Sequence, residues 1–255
     1  MLEKQKRSKK SVINQNSNWR ISAGFGFIFV IIGLAFDIFI QTAGLLALKT
    51  PAKLLHIKEN SWLPILTLVI VFLVLLVIAV QIMLKFVRIK APKTRLHQLV
   101  GSKVAWVFKG YGLIIAGSIV LAMLQTAMTQ HIETADNQVA LNQMATQGLG
   151  ARVFLILLAI VLAPLLEELI FRGIVMNYFF KDSGWWWTNV LISGVAFGYF
   201  HVALQSFQWF AFIQYSIMGI ILAVVYKKTH QIQYSMLTHF MNNTIAMIIM
   251  FSSLV

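Results

Sequence analysis

The stretch Ala163-Pro164-Leu165-Leu166-Glu167-Glu168-Leu169-Ile170-Phe171-Arg172-Gly173 lies inside one of the most apolar runs of the chain, 153–180. The protein has only 8 acidic residues among 255, and two of them stand side by side here. At the centre of a membrane helix each Asp, Lys or Arg costs roughly 2.5–3.5 kcal/mol, so three unpaired charges would cost on the order of 8–10 kcal/mol. Pairing lowers that cost. Glu168 and Arg172 are four residues apart with the acid first, so a helix puts them on one face in the better order. Glu167 lies about 100° further round the helix, four residues from Phe171, and has no local partner. It needs one from another helix, or a proton, or water.

Composition supports a membrane setting for this stretch. The chain is 59% hydrophobic and 11% charged, with a mean hydropathy of +0.79, whereas a soluble domain carries roughly 25% charged residues. Several apolar runs exceed the roughly 20 residues a helix needs to cross the hydrocarbon core. With no cysteine, a disulfide framework, a thiolate metal site and a cysteine nucleophile are all excluded. The formal charge of +13 is a topology signal rather than a nucleic-acid signal, because lysines and arginines gather at the ends of the apolar runs.

The pattern predicts an all-α, polytopic transmembrane bundle with spans near 21–48, 61–84, 104–128, 153–180, 185–203, 209–226 and 234–255. The run after residue 20 is too long for a signal-peptide core and reads as a retained first span. Three parts follow: a basic tail over 1–20, three helices over 21–149 with a basic loop at 85–103, and a core of four helices over 150–255. The tail holds six Lys and Arg residues and the 85–103 loop another six, while 49–60 holds three and 129–152 only Arg152. The positive-inside rule then puts the N-terminus in the cytoplasm. Lys181 and Trp185-Trp186-Trp187 mark the interface on that side, since indole rings favour the headgroup layer.

Two further spans carry histidines among apolar residues. One reads Phe197-Gly198-Tyr199-Phe200-His201 and the other His239-Phe240-Met241-Asn242-Asn243. His239 and Asn243 share a helix face, and Gly194 with Gly198 would let their span approach a neighbour closely. Counted from the basic ends at 1.5 Å per residue, Glu167, His201 and His239 lie at about 20, 24 and 17 Å, a common depth. Pro164 removes a backbone donor three residues before Glu167 and frees a carbonyl nearby. A glutamate, two histidines and an asparagine converging in a water-accessible pocket supply a base, orienting groups and oxyanion donors, which is equipment for amide hydrolysis. Asp37 is a lone intramembrane acid that could pair with a Lys or Arg elsewhere; His56, His97, His131 and His230 fall in solvated loops. There is no H-E-x-x-H helix, no Gly-x-Ser-Gly serine and no pair of intramembrane aspartates.

The ordered motifs E-E-x-x-x-R (Glu167, Glu168, Arg172), F-x-x-x-H (Phe197, His201) and H-x-x-x-N (His239, Asn243) resemble the CPBP family. This family comprises the CAAX prenyl proteases and their bacteriocin-processing or immunity relatives, also called the Abi family. The resemblance covers about 150–245. It implies an intramembrane endopeptidase of a cell membrane whose site opens toward the cytoplasm and whose substrate is a membrane protein or peptide. Carried over, Glu167 activates the attacking water with help from His201, His239 and Asn243 bind the oxyanion or water, and Glu168 with Arg172 supports the first motif. The family has been classed both as metalloprotease and as glutamate protease; Glu167, His201 and His239 could ligate zinc. Two other readings stay open: a non-catalytic immunity or scaffold protein that uses the same pocket for binding, and a transporter, since intramembrane ionisable groups also mark ion paths.

Overall fold

The computed structural model describes residues 2–94, 99–131, 134–179, 187–203 and 206–254, with side chains from Ser22 onward. Among the described residues eight helices follow one another: α1 Leu2–Leu54, α2 Trp62–Lys90, α3 Gly101–Thr129, α4 Asp136–Ala145, α5 Leu149–Tyr178, α6 Thr188–Val202, α7 Trp209–Thr229 and α8 Ile232–Ser252. No strand occurs among the described residues. The all-helical expectation holds, and each expected span corresponds to one helix. Lys181, Trp185 and Trp186 of the interface cluster, and His97, lie outside the described residues. His56, His131 and His230 are exposed, as expected.

Three details differ from the sequence reading. The backbone of the basic tail continues α1 instead of forming a separate segment. The 129–152 connection contains a helix, α4, that hydropathy alone passes over. Five helices are long and apolar enough to cross a membrane, within Ser22–Leu54, α2, α3, α5 and α7. The two other expected spans, α6 and α8, each miss one requirement. At 15 residues α6 is too short, and α8 carries Gln233, Ser235, Thr238, His239, Asn242, Asn243 and Thr244 along one helix.

Contacts between connections define two ends of the bundle. At one end Tyr178 Oη donates to the Phe86 carbonyl at 2.6 Å, the Val100 N–H donates to Tyr234 Oη at 2.9 Å, and Lys227 Nζ donates to Asn189 at 2.9 Å. This end holds the basic loop 85–103. At the other end the Gly150 N–H donates to Asn60 at 3.0 Å, and the Asp136 N–H donates to Gln208 at 2.9 Å. Here α4 packs against the α6–α7 connection.

The central element is α5, with Leu162, Leu166, Leu169, Ile170, Arg172 and Ile174 all fully buried. A helix enclosed on every side in this way is the core of a larger bundle. Two π-helical segments interrupt it, at Leu157–Leu162 and Leu169–Val175. Each shifts the hydrogen-bond register and leaves carbonyls without their usual donors, which in an apolar interior must be satisfied by side chains. Ser193 Oγ donates to the Phe171 carbonyl at 3.0 Å, and Asn189 Nδ2 to that of Met176 at 3.2 Å. Asn177 Nδ2 donates to the carbonyls of Arg172 at 2.9 Å and Gly173 at 3.0 Å.

The glycine pair of α6 faces α7. A Cβ on Gly198 would sit 2.7 Å from the Ser216 backbone nitrogen and 2.8 Å from the Phe212 carbonyl oxygen. Backbone atoms cannot yield as a side chain would, so Gly198→Ala should cost about 1–3 kcal/mol through overpacking. Gly112 on α3 faces open space, and Gly112→Ala should be neutral or stabilising by about 0.5–1 kcal/mol. Thermal unfolding in detergent measures both; equal melting of the two variants would refute the close α6–α7 packing.

Candidate active site

Glu168 and Arg172 form the ion pair their spacing predicts. Arg172 Nη1 lies 2.8 Å from Glu168 Oε1, and both side chains are fully buried. Arg172 does more than neutralise its neighbour. Its Nη2 donates to the Gly219 carbonyl of α7 at 2.7 Å, and its guanidinium lies 4.9 Å from the ring centroid of Phe197 on α6, within cation–π range.

Glu168 has a second partner that sequence spacing does not reveal. Its Oε1 lies 3.1 Å from His239 Nδ1. A carboxylate accepts, so Nδ1 carries the hydrogen and Nε2 is left as the free nitrogen. That nitrogen lies 3.9 Å from Glu167 Oε2. On α6, His201 Nδ1 lies 2.9 Å from the Phe197 carbonyl. A carbonyl can only accept, so here too Nε2 is free, and it also lies 3.9 Å from Glu167 Oε2. Two imidazoles on different helices thus turn their free nitrogens toward one carboxylate oxygen, which is buried and has no direct hydrogen-bond partner. At 3.9 Å neither contact is a hydrogen bond; the spacing suits a water held between them. Depth counting brought these three residues together correctly.

Asn243 joins the same site through Pro164. The Ala163 N–H donates to the Leu158 carbonyl, five residues back. In that register the next carbonyl, Ala159, would receive the N–H of residue 164, which is proline and has none. Asn243 Nδ2 donates to Ala159 instead, at 2.8 Å, and Asn242 Nδ2 donates to Asn243 Oδ1 at 3.1 Å. The second hydrogen of Asn243 Nδ2 remains for another acceptor.

These residues lie in a cavity of about 460 Å³ whose wall also includes Asp37, Ser118, Asn137 and Tyr215. Sequence reading missed Tyr215 and Asn137. Tyr215 stacks on His201 with ring centroids 4.4 Å apart, and Asn137 Nδ2 of α4 reaches the Tyr215 hydroxyl at 3.4 Å. An aromatic six residues into an apolar helix carries no sequence signal for such a contact. Asp37 is buried and accepts from Gln41 Nε2 at 2.8 Å, a partner on its own helix. The cavity extends from Glu167 toward the α4 end.

The donors suit zinc in one respect and not in another. Both imidazoles have the far nitrogen held by a carboxylate or carbonyl, the usual support of a metal-bound histidine. Bonds of 2.0–2.1 Å in a tetrahedral site require donor atoms roughly 3.3 Å apart, closer than the 3.9 Å separations of Glu167 from His201 and His239. Among the described residues no three His, Cys, Asp or Glu side chains gather as a metal site. As they stand, Glu167, His201 and His239 do not fit the ion.

The two adjacent glutamates should fail differently. Arg172→Ala leaves Glu168 buried without its cation and should cost about 3–5 kcal/mol. Glu167→Gln removes a charge that holds no helix in place and should melt like the wild type. Thermal unfolding and membrane yield compare them; a Glu167→Gln protein as unstable as Arg172→Ala would overturn the division.

Residues 149–245 match the type II CAAX prenyl endopeptidase Rce1-like family. A protein of Bacillus subtilis (strain 168) named "Putative membrane peptidase YdiL" is 26% identical over 149 residues, 58% of this chain and 57% of that protein. The chain thus spans somewhat more than half the length of this relative. No solved structure matches it significantly. The matched segment contains α5, α6, α7 and most of α8, with all three motifs in order. Both similarities support membership of the CPBP family.

Proposed function

We propose that the protein is an intramembrane endopeptidase of the cell membrane that hydrolyses a peptide bond in a membrane-associated protein or peptide substrate. The observation that carries this reading is the placement of Glu167 Oε2 at 3.9 Å from both His201 Nε2 and His239 Nε2. A water between them donates one hydrogen to Glu167 and one to an imidazole. Glu167 takes the proton as the water oxygen attacks the scissile carbonyl carbon. Charge then develops on the carbonyl oxygen, and the free hydrogen of Asn243 Nδ2 is the nearby amide donor for it. When the carbon–nitrogen bond breaks, Glu167 returns the proton to the leaving amine. His201 is steadied by Tyr215 and the Phe197 carbonyl, and His239 by Glu168, so both rings hold their orientation through the cycle. Because the donor separations do not suit zinc, no step is assigned to a metal.

Purified protein in detergent should cleave a membrane-associated reporter. Glu167→Gln and His201→Ala should each lower the rate by about 10²–10⁴-fold, the usual contribution of a positioned acid–base group, with melting unchanged. Equal cleavage by wild type and both variants would sink the proposal. Dialysis against a chelator should leave the rate intact. A loss that zinc alone restores would instead place a metal among Glu167, His201 and His239.

A further inference from the structure

The residues that line the cavity give this well its direction. On α5 the lining begins at Glu167 and runs back through Ala163 and Ala159 toward the start of the helix. On α8 it begins at His239 and runs forward through Asn243 and Met247 to Met250 near the helix end. The first half of α7 contributes through Gln214 and Met218, and α4 through Asn137 and Leu141. All of these lead from the Glu167 cluster toward the α4 end. Gln214, Ala246 and Ile38 of α1 are exposed at the margin, while Glu167, Phe197 and His239 are buried at the floor. Below the floor, fully buried Arg172, Leu222 and Tyr234 close the bundle toward the basic end.

Charge assigns that direction to a side of the membrane. The closed end is where the basic tail begins α1 and where Lys85, Arg88, Lys90, Lys93, Lys103, Lys227 and Lys228 gather. The α4 end carries Lys49, Lys53, Lys58 and Arg152. Short basic connections stay in the cytoplasm, which makes the α4 end extracytoplasmic. The lining adds a chemical preference: it includes the carboxylates Asp37 and Glu167, and no lysine or arginine is among its described residues. A free carboxylate entering the well finds no cation there.

We infer that the well is entered from the extracytoplasmic face, and that its substrate is an internal, neutral or cationic peptide segment presented there rather than a cytoplasmic prenylated carboxyl terminus. The substrate part of this inference rests on the endopeptidase reading; the direction of entry does not.

The absence of cysteine makes the test direct. Single cysteines are placed at Thr134 and Asn142, exposed residues at the α4 end, at Gln214 on the margin, and at exposed Ser102 at the basic end. Intact cells are treated with a bulky, membrane-impermeant maleimide. Thr134→Cys, Asn142→Cys and Gln214→Cys should be labelled from outside, and Ser102→Cys only after permeabilisation. Labelling of Ser102→Cys in intact cells, with the other three protected until permeabilisation, overturns the inference whatever the activity. Two reporters, with the same lysine-containing juxtamembrane stretch placed outside or inside, test the substrate. Cleavage of the outside reporter alone, lost after Gln214→Cys is labelled, supports the inference in full; cleavage of the inside reporter overturns it. Outside labelling with no cleavage of either reporter keeps the direction of entry and removes the endopeptidase reading.

Discussion

Everything around the candidate site depends on burying one guanidinium inside the bundle. Arg172 is fully buried in α5, touches two other helices directly and reaches a third through Glu168. An ion pair to Glu168 leads on to His239 of α8, a hydrogen bond reaches Gly219 of α7, and a cation–π contact reaches Phe197 of α6. Removing a charge from water costs several kcal/mol, repaid only when geometry and hydrogen bonds are complete. This requirement fixes how the four helices of the family segment meet, because any slippage leaves a buried charge unmatched. The floor of the well is therefore also the closure of the bundle on its basic side.

The same requirement separates the two adjacent glutamates. One helical step turns Glu168 toward Arg172 and His239 and leaves Glu167 facing the cavity. The departures of α5 from α-helical geometry follow the same logic. The π segments and Pro164 release carbonyls, and in an apolar interior each released carbonyl demands a donor. Asn243, Ser193, Asn189 and Asn177 answer that demand. Much of the polarity of α6 and α8 serves these carbonyls and the site together. This is the physical reason α8 falls short of the apolar spans while still packing inside the bundle.

How much of this was legible in the sequence follows from the range of each interaction. The Glu168–Arg172 pair lies within one helical turn, so spacing alone identified it. The close approach of α6 to α7 was legible because a missing Cβ at Gly194 and Gly198 is itself a statement about packing. Glu167, His201 and His239 could be set at one depth because helical rise is constant. Glu168 as a partner of His239 was not legible, since 71 residues separate them and a satisfied carboxylate gives no sign of a second role. Nor was α4, whose residues Asn137, Gln138, Asn142 and Gln143 give it the composition of a loop. The direction of the well depends on which side chains stop short of filling space, a property of the assembled bundle.

The division of labour between the two parts of the chain limits what a relative's name can transfer. Residues 149–245 supply Glu167, His201, His239 and Asn243, the groups a peptide-bond chemistry would use. Asp37 and Gln41 of α1, Ser118 of α3 and Asn137 of α4 line the same cavity from outside that segment. Their shape and charge decide which segment of a substrate fits, because discrimination between substrates comes from the contacts a pocket makes away from the reacting bond. A match confined to α5–α8 therefore speaks to the proposed chemistry, while the proposed choice of substrate rests on α1, α3 and α4. In this chain those walls present a buried carboxylate and several amides, which suits a polar or cationic peptide segment better than a bare lipid tail.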